Sequence, residues 1–366
     1  MPSVFMTGFP GFIGCQLVLR RLERCPEDVR INCLVQSAYR PQAEAQAKKI
    51  VTEIGCPQAR LHLVDGDITR TDLGLGKSYA GLAEDTTEIY HLAAVYDAGV
   101  KREFAERVNV GGTRNMLDFA AACTNLARFH YVSTCYVSGH HVGRFSEDDL
   151  ECDQSFNNYY EETKFKAEVE VQRCMTDGLP ASIYRPSIVA GDSRSGATQK
   201  FDGIYYMLRF LLRQPRFLAL IPRVGNPKQY EINVVPRDFV VDAINYLSTQ
   251  PGSLGKVYQL CDPNPHKVDD MWKILSKAVQ RRIMPVPLSR DQVKWFLRDA
   301  WPINAYMKIE PECVNYVTTH PTHYTCENTL ADLAGTGIVC PPIESYIGTL
   351  LAFMQAHPEI SPNAMV

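Results

Sequence analysis

The chain has 366 residues, of which 45% are hydrophobic and 22% charged, and its formal net charge is -3. This length predicts two lobes rather than one small core. The small net charge and the lack of a basic stripe argue against a nucleic-acid partner.

Several features predict a soluble, cytoplasmic protein. The first predicted strand begins by residue 3 or 4, which leaves no room for the basic region and apolar core of an export signal. The most apolar helical stretch, Ile204 to Leu212, contains Arg209 and is far shorter than the roughly 20 apolar residues that span a bilayer. We expect no membrane span and 12 reduced cysteines. The adjacent His140 and His141 have no third ligand at a recognisable spacing, so we expect no metal site.

A glycine-rich turn, Thr7 to Gly14, follows the first predicted strand and opens a helical pattern. Such a turn needs glycine at three points: where the backbone bends, where it approaches a pyrophosphate, and where the helix packs on the sheet. Gly8, Gly11 and Gly14 match those points, and the helix N-terminus would favour an anion. The turn therefore predicts a nucleotide site, with an ordinary turn as the alternative.

The second predicted strand, Ile31 to Val35, is where cofactor specificity is expected. A protein selective for NAD usually ends this strand with a carboxylate that binds the ribose 2'-hydroxyl. The chain instead continues from Gln36 to Arg40, where Ser37 can donate a hydrogen bond and Arg40 can pair with a phosphate. This pattern favours NADP, with NAD as the alternative if Arg40 is only a solvated surface charge.

The next two predicted strands end before residues suited to a dinucleotide. Asp67 and Ile68 follow the third strand and would flank the adenine. Ala93 and Ala94 follow the fourth strand and are small enough to let the dinucleotide pass over the strand end. In the helical stretch that follows, an Asn and two glycines over residues 109–112 predict a kink or a close approach.

The fifth predicted strand and the helix after it supply candidate acid/base residues. Thr134 follows the strand at the sheet edge where ligands bind in such folds. Asn158 begins a helix in which Tyr160 and Lys164 are four residues apart and share a face, whereas Tyr159 does not meet Lys164. An adjacent ammonium moves the pKa of a phenol from its usual ~10 toward neutral pH. We expect an acid/base pair, although a chance spacing is the alternative in a chain with 18 tyrosines.

Six motifs, taken together, resemble the extended short-chain dehydrogenase/reductase family. In chain order they are Thr-Gly-x-x-Gly-x-x-Gly at 7–14, His91 to Ala94, Asn109 with Gly112-Thr113, Ser133-Thr134, Tyr160 with Lys164, and Arg185-Pro186-Ser187. Finer similarity to the thioester-reductase-like branch, including stand-alone reductases of mupirocin-type polyketide pathways, lies in Gly66 to Leu75, Tyr131 to Thr134 and Tyr184 to Asp192.

The resemblance implies an α/β fold of the Rossmann type, a doubly wound parallel sheet with a smaller, mainly helical C-terminal substrate lobe. We expect the nucleotide-binding domain at residues 1–191, with a returning segment near 234–262. We expect the substrate lobe at 192–233 and 263–366. The aromatic and aliphatic stretch from Phe201 to Leu220 would form core or wall an apolar pocket.

The resemblance also implies roles for the site residues. Thr134 would hydrogen-bond the substrate carbonyl, Tyr160 would transfer the proton, and Asn109 would anchor a water. Lys164 would lower the pKa of the tyrosine and hold the nicotinamide ribose. The residues expected to bind the cofactor are Thr7, Gly8, Gly11, Phe12, Ile13, Gly14, Ser37, Arg40, Asp67, Ile68, Ala93, Ala94, Tyr160, Lys164, Pro186, Ser187 and Ile188.

We therefore expect an NADP-dependent oxidoreductase that reduces the carbonyl of an acyl thioester or ketone on a hydrophobic, polyketide-like substrate. The substrate would be a small molecule or a thioester delivered by coenzyme A or a carrier protein, and the enzyme could be a homodimer. A nucleotide-sugar epimerase or dehydratase is the alternative. Against it, no acidic residue ends the second strand, and Cys135-Tyr136 stands where a sugar dehydratase typically has Asp-Glu. The cations that keep this alternative open are Arg194, Lys200, Arg223 and Arg237. A non-enzymatic dinucleotide-sensing regulator would not be expected to keep both Tyr160 and Lys164.

Overall fold

The computed structural model describes residues 3–96, 99–226, 228–298 and 321–360. Its strands are β1 Ser3–Thr7, β2 Arg30–Val35, β3 Leu61–Asp65, β4 Thr86–His91, β5 Arg128–Val132, β6 Gly143–Phe145, β7 Ala181–Pro186, β8 Ile188–Ala190, β9 Ala219–Arg223, β10 Glu231–Ile232, β11 Val234–Pro236, β12 Val257–Leu260, β13 His266–Lys267, β14 Ile283–Pro287 and β15 Thr322–Tyr324.

The described chain also contains twelve α-helices, of which the last two follow β15. They are α1 Phe12–Arg24, α2 Arg40–Ile54, α3 Tyr79–Asp85, α4 Arg102–Ala105, α5 Gly112–Ala122, α6 Tyr159–Thr176, α7 Ile204–Leu212, α8 Arg237–Leu247, α9 Val268–Ala278, α10 Arg290–Arg298, α11 Glu327–Leu333 and α12 Ile347–Ala356.

The main sheet of the described chain has seven parallel strands in the order β12-β7-β5-β4-β1-β2-β3. The chain runs outward from β1 to β3 on one side and from β4 to β12 on the other. The strand order therefore reverses between β1 and β4, and in such sheets ligands bind at the carboxyl ends beside this point. This topology confirms the predicted doubly wound α/β fold.

The central strand β1 shows why the sequence forms a sheet covered on both faces. All five of its residues are buried. Val4 and Met6 belong to a core with residues of α1 and α8, whereas Phe5 belongs to a second core with residues of α5 and α6. Because alternate residues of a strand point to opposite faces, an apolar strand of this kind needs helices on both sides.

A further apolar core lies in the C-terminal half of the chain. Residues of α7, α9 and α12 form it, among them Leu208, Trp272 and Leu350. The predicted returning strand is confirmed as β12, which pairs with β7 in the main sheet. The exact division into two domains stays a prediction, and residues 299–320 and 361–366 of the second one lie outside the described residues.

Two observations bear on the membrane and metal expectations. In the described part of the chain, no helix is long and apolar enough to cross a bilayer. His140 and His141 lie in the loop before β6, and no cluster of potential metal ligands occurs among the described residues.

Candidate active site

The glycine turn between β1 and α1 depends on its glycines. Gly8 has a φ of +89°, which favours glycine, and a Cβ there would lie 2.8 Å from the Cβ of Leu92. A Cβ on Gly11 would lie 2.7 Å from the carbonyl oxygen of Gly8, and one on Gly14 would clash with the same oxygen. A close-packed turn results, and it exposes the N-terminus of α1 to the sheet edge.

Thr7 at the end of β1 fixes the exit of β4. Its Oγ1 accepts hydrogen bonds from the backbone N–H groups of Leu92 at 3.2 Å and Ala93 at 3.1 Å. The same hydroxyl lies 2.8 Å from Nδ1 of His91. The ends of the two central strands are therefore held together, and Ala93 and Ala94 face the space between them.

A cavity of about 500 Å³ occupies this edge of the sheet. It brings together most of the site residues predicted from the sequence, which are Thr7, Gly8, Gly11, Phe12, Ile13, Gly14, Asp67, Ile68, Ala93, Ala94, Thr134, Tyr160, Lys164, Pro186, Ser187 and Ile188. Three predicted residues, Ser37, Arg40 and Asn109, are not part of the cavity wall that the described residues form.

Thr134 and Tyr160 meet in this cavity although they come from different elements. Thr134 caps the turn after β5, where its Oγ1 accepts the N–H of Tyr136 at 3.3 Å. Tyr160 is in the first turn of α6, which Asn158 caps by accepting the N–H of Glu161 at 3.0 Å. The phenol of Tyr160 is hydrogen-bonded to the Thr134 side chain. Two hydroxyl groups thus converge on one point, as a carbonyl-binding site requires.

Lys164 lies one turn further along α6 and is 3% exposed. Its Nζ donates hydrogen bonds to Oη of Tyr131 at 2.7 Å and to the carbonyl oxygen of Val132 at 2.8 Å. Burial lowers the pKa of Lys164 to about 7, while the charge of Glu168 opposes that shift. The lysine is therefore close to losing its proton at neutral pH.

The pKa of Tyr160 shifts in the direction opposite to the sequence-based expectation. Burial raises the pKa of this phenol above its usual value, and a hydrogen bond with the Thr134 side chain opposes the rise only in part. Desolvation of the phenolate is therefore the dominant influence on this pKa. Tyr160 is consequently a protonated donor in this environment, consistent with giving a proton to a reduced carbonyl.

Asn109 connects two walls of the site instead of lining the cavity. Its Oδ1 accepts the N–H of Val95 at 2.8 Å, and its Nδ2 donates to the Val95 carbonyl and the Thr163 hydroxyl, both at 3.0 Å. The side chain thus ties the segment after β4 to α6. Its role in holding a water stays a prediction, and these contacts occupy both amide hydrogens.

The kink or close approach predicted over residues 109–112 corresponds to two features of the structure. Residues Glu106–Gly111 form a π-helical segment between α4 and α5. A Cβ on Gly112 would lie 2.6 Å from Cδ1 of Ile68, so the helix approaches the segment after β3 closely. This wider turn carries Asn109 to its contacts with Val95 and Thr163.

The loop after β2 places the predicted 2'-phosphate residues outside the cavity wall. Ser37 is exposed. The Arg40 guanidinium donates to Asp65 at 2.8 Å and to Glu44 at 2.9 Å. Gln36 and Tyr39 line the cavity in this loop. The sequence reasoning had not assigned them to the site, although both belong to the segment singled out for cofactor specificity.

The cavity has the features that a dinucleotide needs. The Ser187 hydroxyl is buried in the cavity wall and has no hydrogen-bond partner among the described residues. Such a buried group needs a partner, which the carboxamide of a nicotinamide can supply. With the glycine turn at the other end, the residues present suit a nicotinamide dinucleotide.

The lining residues that were not assigned to the cofactor are largely apolar, and we call the part of the wall that they form the apolar arm. Its wall includes Phe9, Phe104, Met207 and Ile232, and the sequence patterns had not placed Phe9, Phe104 or Ile232 in the site. Phe104 lies in the short helix α4, far along the chain from α7, so no local pattern links them.

An ion pair lies in this arm. Lys200 and Asp202 are 3.0 Å apart, and the Lys200 Nζ is 4.9 Å from the ring centroid of Tyr96. The negative charge of Asp202 contributes to the raised pKa of Tyr160. This pair therefore lies within electrostatic reach of the acid/base tyrosine.

A fully buried ion pair supports the strand end that carries Thr134. Glu168 accepts hydrogen bonds from the Arg185 guanidinium at 2.6 and 2.9 Å, and from the Ser133 hydroxyl at 2.5 Å. Glu168 follows Lys164 by four residues, so the helical spacing that selected Tyr160 and Lys164 could also have identified it.

Comparisons with known proteins agree with this geometry. A family model described as "Male sterility protein" matches residues 6–244. The non-canonical nonribosomal peptide synthetase cpsA of Aspergillus campestris is 29% identical over 307 residues, which are 78% of this chain and 28% of that protein. The aldehyde reductase lnbA of Aspergillus flavus is 27% identical over 303 residues, covering 78% of this chain and 29% of that protein. The chain thus spans less than a third of these relatives.

The fold comparison points the same way. The terminal R domain from the myxalamid PKS-NRPS biosynthetic pathway superposes with a TM-score of 0.82 at 28% identity, over 98% of this chain and 91% of that domain. The family match covers more than half of the chain and includes the glycine turn, Thr134, Tyr160 and Lys164. The chain therefore belongs to the male sterility protein family and is an oxidoreductase of the extended short-chain dehydrogenase/reductase type, in its thioester-reductase branch.

Proposed function

We propose that the protein is an NADP-dependent reductase that transfers hydride to the carbonyl carbon of an acyl thioester on an apolar chain. One observation carries this proposal: the glycine turn, the three residues Thr134, Tyr160 and Lys164, and an apolar arm all line one continuous cavity. A cofactor end, a proton donor and an apolar substrate end are thereby adjacent.

Three residues of the chain would have separate roles in the reduction of the carbonyl group. Thr134 and Tyr160 aim hydroxyl groups at the oxygen that becomes negative, which stabilises the transition state more than the ground state. Tyr160 then donates its proton to that oxygen. Once Tyr160 has lost its proton, the Lys164 ammonium stabilises the resulting phenolate and returns a proton to it. With a thioester, the carbon–sulfur bond then breaks and releases an aldehyde and a thiol.

The cofactor would be held by the residues at the two ends of the cavity. Gly8, Gly11 and the N-terminus of α1 would bind the pyrophosphate, and Ser187 would bind the carboxamide. When bound, the reduced nicotinamide supplies the hydride. Lys164 would hold the ribose beside Tyr160.

The preference for NADP over NAD rests on the loop after β2. No carboxylate in the segment Gln36 to Arg40 would repel a 2'-phosphate. Arg40 lies in this loop, although it shares its guanidinium with Asp65 and Glu44. NADPH is therefore expected to bind more tightly than NADH.

An apolar acyl chain is favoured over a nucleotide sugar by the charges around the cavity. Lys200 lines the cavity, but Asp202 already pairs with it. Arg237 lies 3.5 Å from Asp192, and Arg223 lies 4.0 Å from Asp269. Each arginine is therefore paired with a carboxylate of the chain instead of being free to bind a diphosphate. A sugar diphosphate would need cations that this arm does not offer among its described residues.

Delivery of the thioester by a carrier protein or coenzyme A is part of the proposal. Its support is the similarity to a nonribosomal peptide synthetase and to the terminal R domain of a PKS-NRPS biosynthetic pathway. A ketone on a related chain is the second substrate that the same two hydroxyl groups could serve. The homodimer and the cytoplasmic location stay predictions.

One assay tests the substrate. Purified protein and NADPH are incubated with a series of acyl-coenzyme A thioesters of two to twelve carbons, a β-keto acyl thioester and nucleotide sugars. NADPH absorbance and product mass are followed. We expect aldehyde or alcohol from thioesters, with KM falling as the chain lengthens. A hydroxyacyl product would instead support ketone reduction, and an epimerised sugar without net NADPH loss would end the reductase proposal.

A further inference from the structure

The environment of Lys164 contains a residue that none of the roles above uses. Tyr131, on β5, lies behind the lysine and is 1% exposed. Its Oη accepts the hydrogen bond from Nζ of Lys164 at 2.7 Å, and Nζ lies 4.2 Å from the centroid of its ring. Tyr131 is outside the cavity wall that the described residues form, so it does not reach a ligand.

The hydrogen atoms in this cluster can be assigned from the contacts alone. The Thr113 hydroxyl donates to the carbonyl oxygen of Asn109 at 2.6 Å, which commits its only hydrogen. The Nε2 of His91, 3.0 Å from the same hydroxyl, must therefore donate to it.

The rest of the cluster follows from that assignment. Burial and the charge of Lys164 lower the pKa of His91 to about 3, so its ring is neutral and carries one hydrogen. With that hydrogen on Nε2, Nδ1 accepts from Thr7 at 2.8 Å. The chain of hydrogen bonds thus runs from the glycine turn through His91 to Thr113.

We infer that Tyr131 is a positioning residue, whose hydroxyl accepts a hydrogen bond from Lys164 and holds this lysine toward the ribose and Tyr160. The inference rests on the proposed function only in that Lys164 serves the cofactor. The phenol cannot act as an acid/base itself, because burial raises its pKa well above the usual value.

The test compares two tyrosines that are buried in the same sheet. Tyr131→Phe removes the acceptor of Lys164. Tyr184→Phe is the matched control, because Tyr184 is 0% exposed on the adjacent strand β7 and its hydroxyl lies 3.2 Å from Nδ1 of His130 instead. We expect both variants to lower the melting temperature. Only Tyr131→Phe should weaken NADPH binding, by about tenfold, as for a lost hydrogen bond to a charged group.

The pH dependence of NADPH binding separates positioning from general destabilisation. The groups that face Lys164 are Tyr131 from β5, His91 from β4, and Tyr160 and Glu168 from its own helix. NADPH affinity should fall as Lys164 loses its proton with rising pH. Loss of the Tyr131 acceptor destabilises the ammonium, so the midpoint in Tyr131→Phe should move to lower pH, while that of Tyr184→Phe stays in place. The cofactor phosphate titrates in the same way with every variant, so it does not contribute to the difference between their pH midpoints.

The outcomes are decisive in either direction. NADPH affinity and a pH midpoint unchanged in Tyr131→Phe would overturn the inference even if thioester reduction is confirmed. A shifted midpoint in a protein that reduces no thioester would leave the inference standing and refute the proposed function. If Tyr131→Phe does not fold, Tyr131→Met removes the same acceptor with a flexible apolar side chain, and Tyr184→Met is its control. The Tyr131 variant should then reproduce the shift and the Tyr184 variant should not.

Discussion

Two buried polar clusters lie on the same parallel sheet, and they balance charge differently. In the first, Glu88 on β4 accepts hydrogen bonds from Arg21 at 2.6 Å, Tyr90 at 2.7 Å and His130 at 3.1 Å. Burial alone would raise the pKa of Glu88, but the hydrogen bonds from His130 and Tyr90 and the charge of Arg21 hold it at about 2. Burial lowers the pKa of His130, so Arg21 is the cation of this cluster.

The second cluster surrounds Lys164 and has no such full pairing. The hydrogen bonds of its Nζ go to a neutral phenol and a carbonyl. Glu168, the nearest carboxylate on the same helix, already pairs with Arg185 at 2.6 Å. A buried charge with a committed partner stays charged and stabilises the fold, whereas one with neutral partners keeps a pKa near working pH. The comparison therefore separates a structural cluster from a functional one.

The largest expected effect is a loss of turnover when the functional site beside Lys164 is altered. Tyr160→Phe removes the proton donor and should lower turnover by about 10² to 10⁴, the usual contribution of general acid catalysis. The melting temperature and NADPH affinity should change little. NADPH consumption at saturating substrate measures this.

Tyr159→Phe is the matched control for this variant. Tyr159 is the neighbouring residue, but it is 43% exposed and its ring faces Arg102. It should retain most of the activity. Near-normal turnover in Tyr160→Phe would refute the assignment of Tyr160 as the proton donor.

The second-largest expected effect is a loss of stability when the structural cluster around Glu88 is disrupted. Glu88→Gln leaves Arg21 buried without its counter-ion and should lower the free energy of unfolding by about 3–5 kcal/mol. Turnover below the melting temperature should be unchanged, because Glu88 lies in the middle of β4, away from the cavity. Chemical denaturation and steady-state kinetics measure both.

An exposed ion pair is the control for that variant. Glu327 pairs with Arg144 at 2.6 Å, with both side chains more than half exposed. Glu327→Gln should change stability by less than about 1 kcal/mol. Equal losses in the two variants would mean that the Glu88 cluster is no more important than a surface pair.

The pH dependence of stability tests the same distinction, because the folded and unfolded states bind different numbers of protons. Glu88 has a pKa of about 2 in the fold against an ordinary value of 4.5, and His91 about 3 against 6.5. In both, the folded state binds fewer protons than the unfolded state between these values. Stability should therefore fall as the pH drops from about 6.5 toward 2, and the Glu88 part amounts to about 3 kcal/mol.

Urea unfolding at a series of pH values measures this slope. Glu88→Gln should flatten the curve below about pH 5 because its titration is removed. The part between pH 5 and 6.5, to which His91 and His130 both contribute because burial lowers the pKa of each, should remain. A variant curve parallel to that of the natural protein throughout would contradict the role given to Glu88.

The sequence predicted those features that depend on a few neighbouring residues. The apolar run Val4-Phe5-Met6 predicts a strand buried on both faces, and the spacing of Tyr160 and Lys164 predicts a shared helix face. Both signals are local, and the structure has both. An Asn and two glycines within a helix likewise predicted a kink or a close approach, and the structure has a π-helical segment there.

The remaining features depend on partners that are distant in the chain. Tyr131 binds a lysine 33 residues away on another element, so no spacing rule connects them. The direction of the Tyr160 pKa shift was missed because the sequence shows the neighbouring lysine but not the depth of burial. Arg40 was assigned to a phosphate, and the sequence could not show that Asp65, at the end of the adjacent strand, would pair with it.

The smallest expected effect concerns this third kind of ion pair, at the rim of the cofactor site. Arg40 is 34% exposed, and its guanidinium is shared with Asp65 and Glu44. Because exposed pairs contribute little, Arg40→Ala should weaken NADPH binding by only about threefold and leave NADH binding unchanged. Asp65→Asn should have the opposite effect, since it frees Arg40 and removes a charge that repels a 2'-phosphate. Fluorescence titration of both cofactors measures these changes. Equal losses for NADPH and NADH in Arg40→Ala would make this arginine a surface analogue of Arg21, a structural cation, and would remove the support for NADP specificity.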